Sequence, residues 1–307
     1  MRAATIAFRV VRVLCLGETL VDLICERPVD RLADADAFAP HFGGAMANVC
    51  VVAARYGAAV ELAGGAGDDG WGRWLQERLA GEGVGLEWFA LVEGAPTALA
   101  FVTVDAGGEP DYLIYGAGIH AAMAAVAPRL HEAVAACDAL VIASNTLLDP
   151  DERRATLDAR ASMLEHGKPV VFDPNLRLHR WENPGRAVTL SRECLPGLFL
   201  LKCNRHEAQL LSGEQDVERA AEALLAAGVA NVVVSLGADG AMLRGAVRAN
   251  VPGVPAQVVS ATGAGDTMLG VLVARLAETR FYPAAIAAGL AEAVSAAART
   301  TERWGAT

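Results

Sequence analysis

The chain has 307 residues, 53% of them apolar, enough for one large α/β domain or two small ones around a buried core. A formal net charge of −10 argues against a nucleic-acid partner, because phosphate-backbone binding rests on Lys/Arg neutralisation, although a local nest can still hold a small anion. Apolar runs stop well short of bilayer length, and residues 1–13 carry arginines around only a six-residue apolar stretch, so neither a membrane span nor a signal peptide is expected.

Short apolar runs at 12–16, 60–63, 139–143, 169–172, 198–201 and 232–235 predict buried strands. Helical patterns fill 45–56, 70–81, 150–166, 217–227 and 264–278, and 283–303 reads as one long Ala-rich helix. This alternation predicts right-handed βαβ crossovers and an α/β fold whose mostly parallel central sheet is covered on both faces. Residues 97–115 break the rhythm, with two strands around Ala106-Gly107-Gly108. Together with 21–39, which lacks helical periodicity, the hairpin predicts a small β lid over the C-terminal edge of the sheet, where ligands bind in such folds; a pair of edge strands is the alternative. With no repeat or linker, the lid, roughly 21–40 and 95–118, is an insertion in one domain spanning 1–307.

Cys15, Cys25, Cys50, Cys137, Cys194 and Cys203 are scattered without a C-x-x-C pair, which predicts buried free thiols and a reducing cytoplasm. No His/Cys group has zinc-ligand spacing.

The most informative stretch is Gly263-Ala264-Gly265-Asp266, between a strand-like pair and an Ala/Leu-rich helix. A helix start offers unpaired N–H groups and a positive dipole end, and the glycines let a bulky anion approach the backbone. Asp266 would repel that anion, so it makes better sense as a base aimed at an attacking hydroxyl; an ordinary first-turn acid is the competing reading. Gly43-Gly44-Ala45-Met46-Ala47-Asn48 opens another helix, where Asn48 can donate and accept as a polyol demands, or simply belong to a tight turn. Asp22 is the sole acid of its strand and can accept sugar hydroxyls or end the strand. Asp173-Pro174-Asn175-Leu176-Arg177 and Asn204-Arg205-His206-Glu207 follow buried strands and offer polar groups for an anion and its magnesium, or, taken singly, a turn or helix cap. Gly65-Ala66-Gly67-Asp68-Asp69-Gly70 fits a dinucleotide fingerprint, but its two aspartates would face the pyrophosphate, and no P-loop sequence occurs.

In this order, with Ser235-Leu236-Gly237-Ala238-Asp239-Gly240 between them, the motifs resemble those of the PfkB carbohydrate kinases, which have the ribokinase-like three-layer α/β/α fold, along nearly the whole chain. Gly17 to Asp22, the flap 97–115 and Asp173 to Arg177 with Trp181 look most like fructokinases, followed by 2-keto-3-deoxygluconate kinases. The resemblance implies ATP-dependent phosphorylation of a sugar's primary hydroxyl, on fructose or a related ketose, with Asp266 as base and Gly263, Ala264 and Gly265 stabilising the transferred phosphoryl group. It places Asp22, Gly43, Gly44, Asn48, Phe101 and Arg177 around the sugar. It places Asn175, Asn204, Ser235, Gly237 and Gly240 at the nucleotide, and Asn204 and Glu207 at Mg²⁺ through water. Lids in this family often pair, which implies a homodimer. A nucleoside kinase of the same fold and a non-catalytic sugar sensor are the other readings.

Three positions depart from the family pattern. Ser260-Ala261-Thr262 lacks the carboxylate of a monovalent-cation site, so potassium dependence is not expected. No Arg follows Tyr115, which removes a sugar contact, and Glu292 stands where an Asn near adenine is usual.

Overall fold

The computed structural model describes residues 10–307, so most of the N-terminal stretch read above for a signal peptide lies outside the described residues. The chain opens with β1 (Arg12–Leu16), then β2 (Leu20–Ile24), β3 (Ala39–Gly43), α1 (Ala45–Arg55), β4 (Ala59–Gly67), α2 (Gly70–Gly81) and β5 (Phe89–Val92). The predicted hairpin follows as β6 (Leu99–Val104) and β7 (Pro110–Tyr115), and leads into α3 (Ala117–Val126) and α4 (Leu130–Ala136). Strand and helix then alternate through β8 (Ala139–Ala143), α5 (Pro150–Glu165), β9 (Val170–Asp173), α6 (Pro184–Glu193), β10 (Leu200–Asn204), α7 (Arg205–Ser212), α8 (Val217–Ala226) and β11 (Asn231–Ser235). The antiparallel β12 (Ala241–Gly245) and β13 (Ala249–Val251) precede α9 (Ala264–Glu278) and α10 (Ala284–Thr300).

The large sheet has the order β13-β12-β11-β10-β9-β8-β1-β4-β5 and is parallel from β5 through β11. From β1 the chain builds outward to β4 and β5, then returns to start again at β8 on the other side. The strand order therefore reverses between β1 and β8, the point where an open α/β sheet leaves a crevice beyond its carboxyl ends.

Side-chain alternation divides the core into two layers. Val13 and Cys15 of β1, with Val141 and Ala143 of β8, pack under α1, α2, α9 and α10. Leu14, Leu16, Leu140 and Ile142 point the other way, toward α3 to α8. A strand buried on both faces reads as a continuous apolar run, which is why these strands are legible in the sequence. The expected three-layer α/β/α arrangement is the one observed. Among the described residues no helix is long and apolar enough to cross a membrane.

β2, β3, β6 and β7 form a second, four-stranded sheet in the order β3-β2-β6-β7, which takes in Gly43 beyond the expected 21–40 segment. Its hairpin turn reaches the segment before α9, where the Gly108 carbonyl accepts from the Ala261 N–H at 2.8 Å and the Tyr112 hydroxyl donates to Thr262 Oγ1 at 3.3 Å. Gly65 and Gly67 lie within β4 rather than in a loop. A Cβ on either would sit 2.2 Å from the carbonyl oxygen of Ala90 or Ala95, so these glycines let neighbouring backbone pack closely and form no phosphate cradle.

Candidate active site

A cavity of about 720 Å³ opens at the carboxyl ends of β1 and β8 to β11, with β2, β6 and β7 of the second sheet across it. At its centre α9 begins. Gly263 is the N-cap in the left-handed region (φ 76°), where a Cβ would strike Ala306. Gly263, Gly265 and Asp266 keep their N–H groups free of protein partners among the described residues, whereas the Ala264 N–H turns back to the Ala261 carbonyl at 3.3 Å. Ala264, expected as an anion donor, does not line the cavity; the tight turn into the helix uses its N–H.

Asp266 is buried, and both carboxylate oxygens are held: Asn48 Nδ2 donates to Oδ2 at 2.9 Å and Asn175 Nδ2 to Oδ1 at 3.2 Å. Burial pushes its pKa up to about 6, against the Asn48 hydrogen bond, with Asp173 adding to the rise and Lys202 and Arg177 opposing it. A carboxylate tuned to that range suits a base working near neutral pH.

Asp22 faces the same cavity. Burial and then the charge of Asp266 push it up to about 8. Gly43 stands behind it and outside the lining: a Cβ there would lie 2.4 Å from Asp22 Oδ2. Gly44 lines the cavity with φ 101°, a conformation natural only to glycine. Because Gly44 has no side chain to cap α1, Glu18 does so from β1's end, accepting from the Ala45 N–H at 3.1 Å.

Arg177 lies over the Tyr112 ring, 5.1 Å from its centroid. Burial works against its charge, but Tyr112, Asp266, Glu207 and Asp173 outweigh that and keep it cationic. Asn204 and Glu207 form a capping box at α7, and the Glu207 carboxylate also accepts from the Leu176 N–H at 2.8 Å. Ser235 and Gly237 line the cavity; Gly240 does not, and instead fits its turn against the Val251 carbonyl. Phe101 lies on the opposite face of the second sheet, edge-on to Phe38 and Tyr115, because strand alternation turns Ala100, Tyr112 and Ile114 toward the cavity. The expected sugar contact by Phe101 is therefore absent.

Several cavity residues carry no motif in the sequence. Lys202 is 4% exposed, bonds Asp173 at 2.8 Å and stays charged: burial lowers its pKa, but Asp173 and Glu207 raise it further. A charged residue inside an apolar strand is a signal that could have found it. Asn145 donates to Glu18 Oε1 at 2.8 Å and accepts from Arg180 at 3.2 Å. Glu18 Oε2, Asn48 Oδ1 and Asn175 Oδ1 are buried acceptors without a protein donor, all on residues of this cavity.

Oxygen donors at Asn175, Asn204 and Glu207 suit a hard, hydrated cation, and the free Oδ1 of Asn175 is open to such a partner. Both oxygens of Glu207 already hold backbone N–H groups, which fits contact through water. Beside the cavity, His120, Asp149 and Glu152 bring ligand atoms within 4.8 Å of one another, a grouping hidden in the sequence by the separation of His120 from the others. All six thiols are free and buried. Glu292 is held by Arg275 at 2.8 and 3.0 Å and does not line the cavity.

Residues 11–305 match the model of the pfkB family carbohydrate kinase. Fructokinase-1 of Oryza sativa subsp. japonica is 31% identical over 268 residues, covering 87% of this chain and 83% of its own length. The solved aminoimidazole riboside kinase from Salmonella enterica, complexed with aminoimidazole riboside and an ATP analog, is 26% identical with a TM-score of 0.79, covering 96% of this chain and 95% of its own. A structure from E. coli described as a Ribokinase II in complex with ATP and Mg²⁺ is 25% identical with a TM-score of 0.84, covering 96% and 94%. A ribokinase-like fold, the ordered motifs converging on one cavity and a family match over almost the whole chain lead to one conclusion: this protein belongs to the PfkB family of carbohydrate kinases and is a sugar kinase.

Proposed function

We propose that the protein transfers the γ-phosphoryl group of ATP to the primary hydroxyl of a sugar, fructose or a related ketose, with Asp266 as general base. The observation that carries this reading is the buried Asp266 carboxylate, aimed from the start of α9 beside unpartnered N–H groups and pushed up to about 6. Asp266 takes the proton of the sugar hydroxyl as its oxygen bonds to the γ-phosphorus and the bond to the leaving ADP oxygen breaks. The N–H groups of Gly263 and Gly265, with the dipole of α9, stabilise the charge on the transferred group. Lys202 lies beside that hole: a Cβ on Gly265 would sit 2.7 Å from its Nζ.

Asp22, Gly44 and Asn48 hold the sugar. The unpartnered oxygens of Glu18 and Asn48 are acceptors for its hydroxyls. Asn175, Asn204, Ser235 and Gly237 border the nucleotide, and Asn204 and Glu207 hold Mg²⁺ through water. When bound, the ion neutralises the β- and γ-phosphates. The second sheet acts as a lid that excludes water from the reaction. The exposed Leu113 and Tyr115 on its outer face support a homodimer through the lid, and six unpaired thiols support a reducing cytoplasm.

Coupled ADP release with Mg-ATP, across fructose, 2-keto-3-deoxygluconate, ribose, tagatose and adenosine with Asp266→Asn as blank, tests the reading. One acceptor far above the blank supports it. ATP binding without turnover across the panel points to a different acceptor, and absence of ATP binding turns the reading toward a sugar sensor.

A further inference from the structure

A second cavity, of about 450 Å³, adjoins the first and lies between the start of α3 and the start of α5. His120 in the first turn of α3, with Asp149 and Glu152 at the start of α5, line it, and one ligand atom from each lies within 4.8 Å of the others. Glu152 is the informative member. It is 6% exposed, yet the nearest donor to its carboxylate is an imidazole nitrogen, His120 Nδ1, at 3.3 Å. It occupies the third position of α5, from which a Glu ordinarily reaches back to the N-cap N–H, as Glu207 does in α7. Here Asp149 caps the helix alone, its Oδ1 accepting from the Asp151 and Glu152 N–H groups at 2.8 and 3.2 Å, and the Glu152 side chain faces the cavity instead. A carboxylate taken out of water in this way is costly unless a cation compensates it.

The spacing identifies the kind of cation. His120 Nδ1 stands 3.3 Å from Glu152 Oε1 and 3.6 Å from Asp149 Oδ1. Both distances exceed a charge-assisted N–H···O bond of about 2.7–2.9 Å. They fit atoms that share one ion: with bonds of about 2.0–2.1 Å in tetrahedral geometry, ligand atoms stand about 3.3–3.4 Å apart. Arg180 also lines this cavity, but among the described residues it forms no ion pair with either carboxylate, and Asn145 Oδ1 holds its Nη1 at 3.2 Å. One imidazole and two carboxylates favour a borderline divalent ion such as Zn²⁺ over Mg²⁺, which prefers oxygen ligands and gives up its water reluctantly. The remaining space in the cavity lets water complete the shell.

We propose that His120, Asp149 and Glu152 form a binding site for a divalent metal of the Zn²⁺ class, separate from the Mg²⁺ of the reaction. Bound there, the ion joins the helix that leaves the second sheet after β7 to the helix that follows β8, and braces the body of the protein beside the lid. The site stands on these three side chains and does not depend on the reaction proposed above.

The test uses the full chain, stripped of metal with a chelator, in wild type, His120→Ala and Glu152→Gln. Zn²⁺ is titrated by calorimetry without nucleotide, and Co²⁺ is added separately as a visible-absorption probe. The wild type takes up one equivalent of Zn²⁺ that excess Mg²⁺ does not displace. Either substitution weakens that uptake by at least roughly 10²-fold and removes the Co²⁺ absorption, since losing a ligand costs more than losing a group behind one. Zn²⁺ raises the Tm of the wild type and leaves that of both variants unmoved. His120 is largely exposed, so His120→Ala decides the matter if Glu152→Gln does not fold. Equal Zn²⁺ binding by wild type and variants is adventitious uptake by other side chains and overturns the site. Ready displacement by Mg²⁺ overturns its metal class. No uptake at all, with a Tm lowered by both substitutions whether or not Zn²⁺ is present, also overturns it and leaves an ordinary His120–Glu152 ion pair.

Discussion

Asn48 donates its side-chain amide to Asp266 at 2.9 Å across 218 positions of sequence, tying the first helix to the ninth through the carboxylate proposed as the base. A hydrogen bond to the charged form lowers a carboxyl pKa, and here it opposes the rise caused by burial. The turnover rate should fall as pH drops through about 6. In Asn48→Ala the same fall should occur at higher pH, because the opposing bond is gone. A pH profile of kcat for both proteins checks this, and an unshifted limb would detach Asn48 from the titration.

Replacing Asp266 by Asn keeps the shape and removes the proton acceptor. Turnover should drop by roughly 10²–10⁴-fold while the sugar Kd changes little, since the base acts mainly in the transition state. Calorimetry beside single-turnover kinetics separates the two effects, and a near-normal rate would exclude Asp266 from the chemistry.

Asp22 makes a prediction about stability. Its folded pKa of about 8 lies above the ordinary value of 3.8, so the folded chain binds the proton more tightly than the unfolded chain. That contribution is complete below about pH 4 and is lost as pH rises toward 8. Asp22→Asn should therefore gain thermal stability relative to wild type as pH rises from 5 to 9. Parallel Tm curves for the two proteins would count against a strongly shifted carboxyl.

Potassium should not activate the enzyme. The Ser260 hydroxyl donates to Thr262 Oγ1 at 2.9 Å and accepts from the Thr262 N–H at 3.2 Å, so it is committed within the turn. Rate measured against K⁺ at fixed ionic strength should stay flat, and a steep rise would mean that backbone carbonyls suffice for a cation.

Much of this arrangement is legible in the sequence because buried parallel strands are apolar throughout and polar motifs follow them directly. Asp266, Asn175, Asn204 and Glu207 were found that way, and all four line the cavity. The edge strands β5 and β13, the antiparallel β12 beside β13, and the short helices α3, α4, α6 and α7 are not legible, since their apolar residues follow neither period over a useful length. The resemblance places Phe101 at the sugar, and the hairpin is legible, but its facing is not: a one-residue change of parity reverses every side chain, and only register settles it. Glu18, Asn145 and Arg180 form one chain of hydrogen bonds yet lie far apart in sequence, so no spacing rule joins them. Ala264 failed for a finer reason, the direction of a single N–H in the turn.

The tip of the β6–β7 hairpin is stitched to Ala261 and Thr262, immediately before the left-handed Gly263. A flap fastened there cannot swing without pulling on the threshold of α9. On the proposed chemistry, acceptor capture and the shape of the phosphate hole then share one degree of freedom. If the second sheet moves as the proposed lid, opening it would loosen that hole just when water could reach bound ATP, and the same two contacts would then disfavour idle hydrolysis.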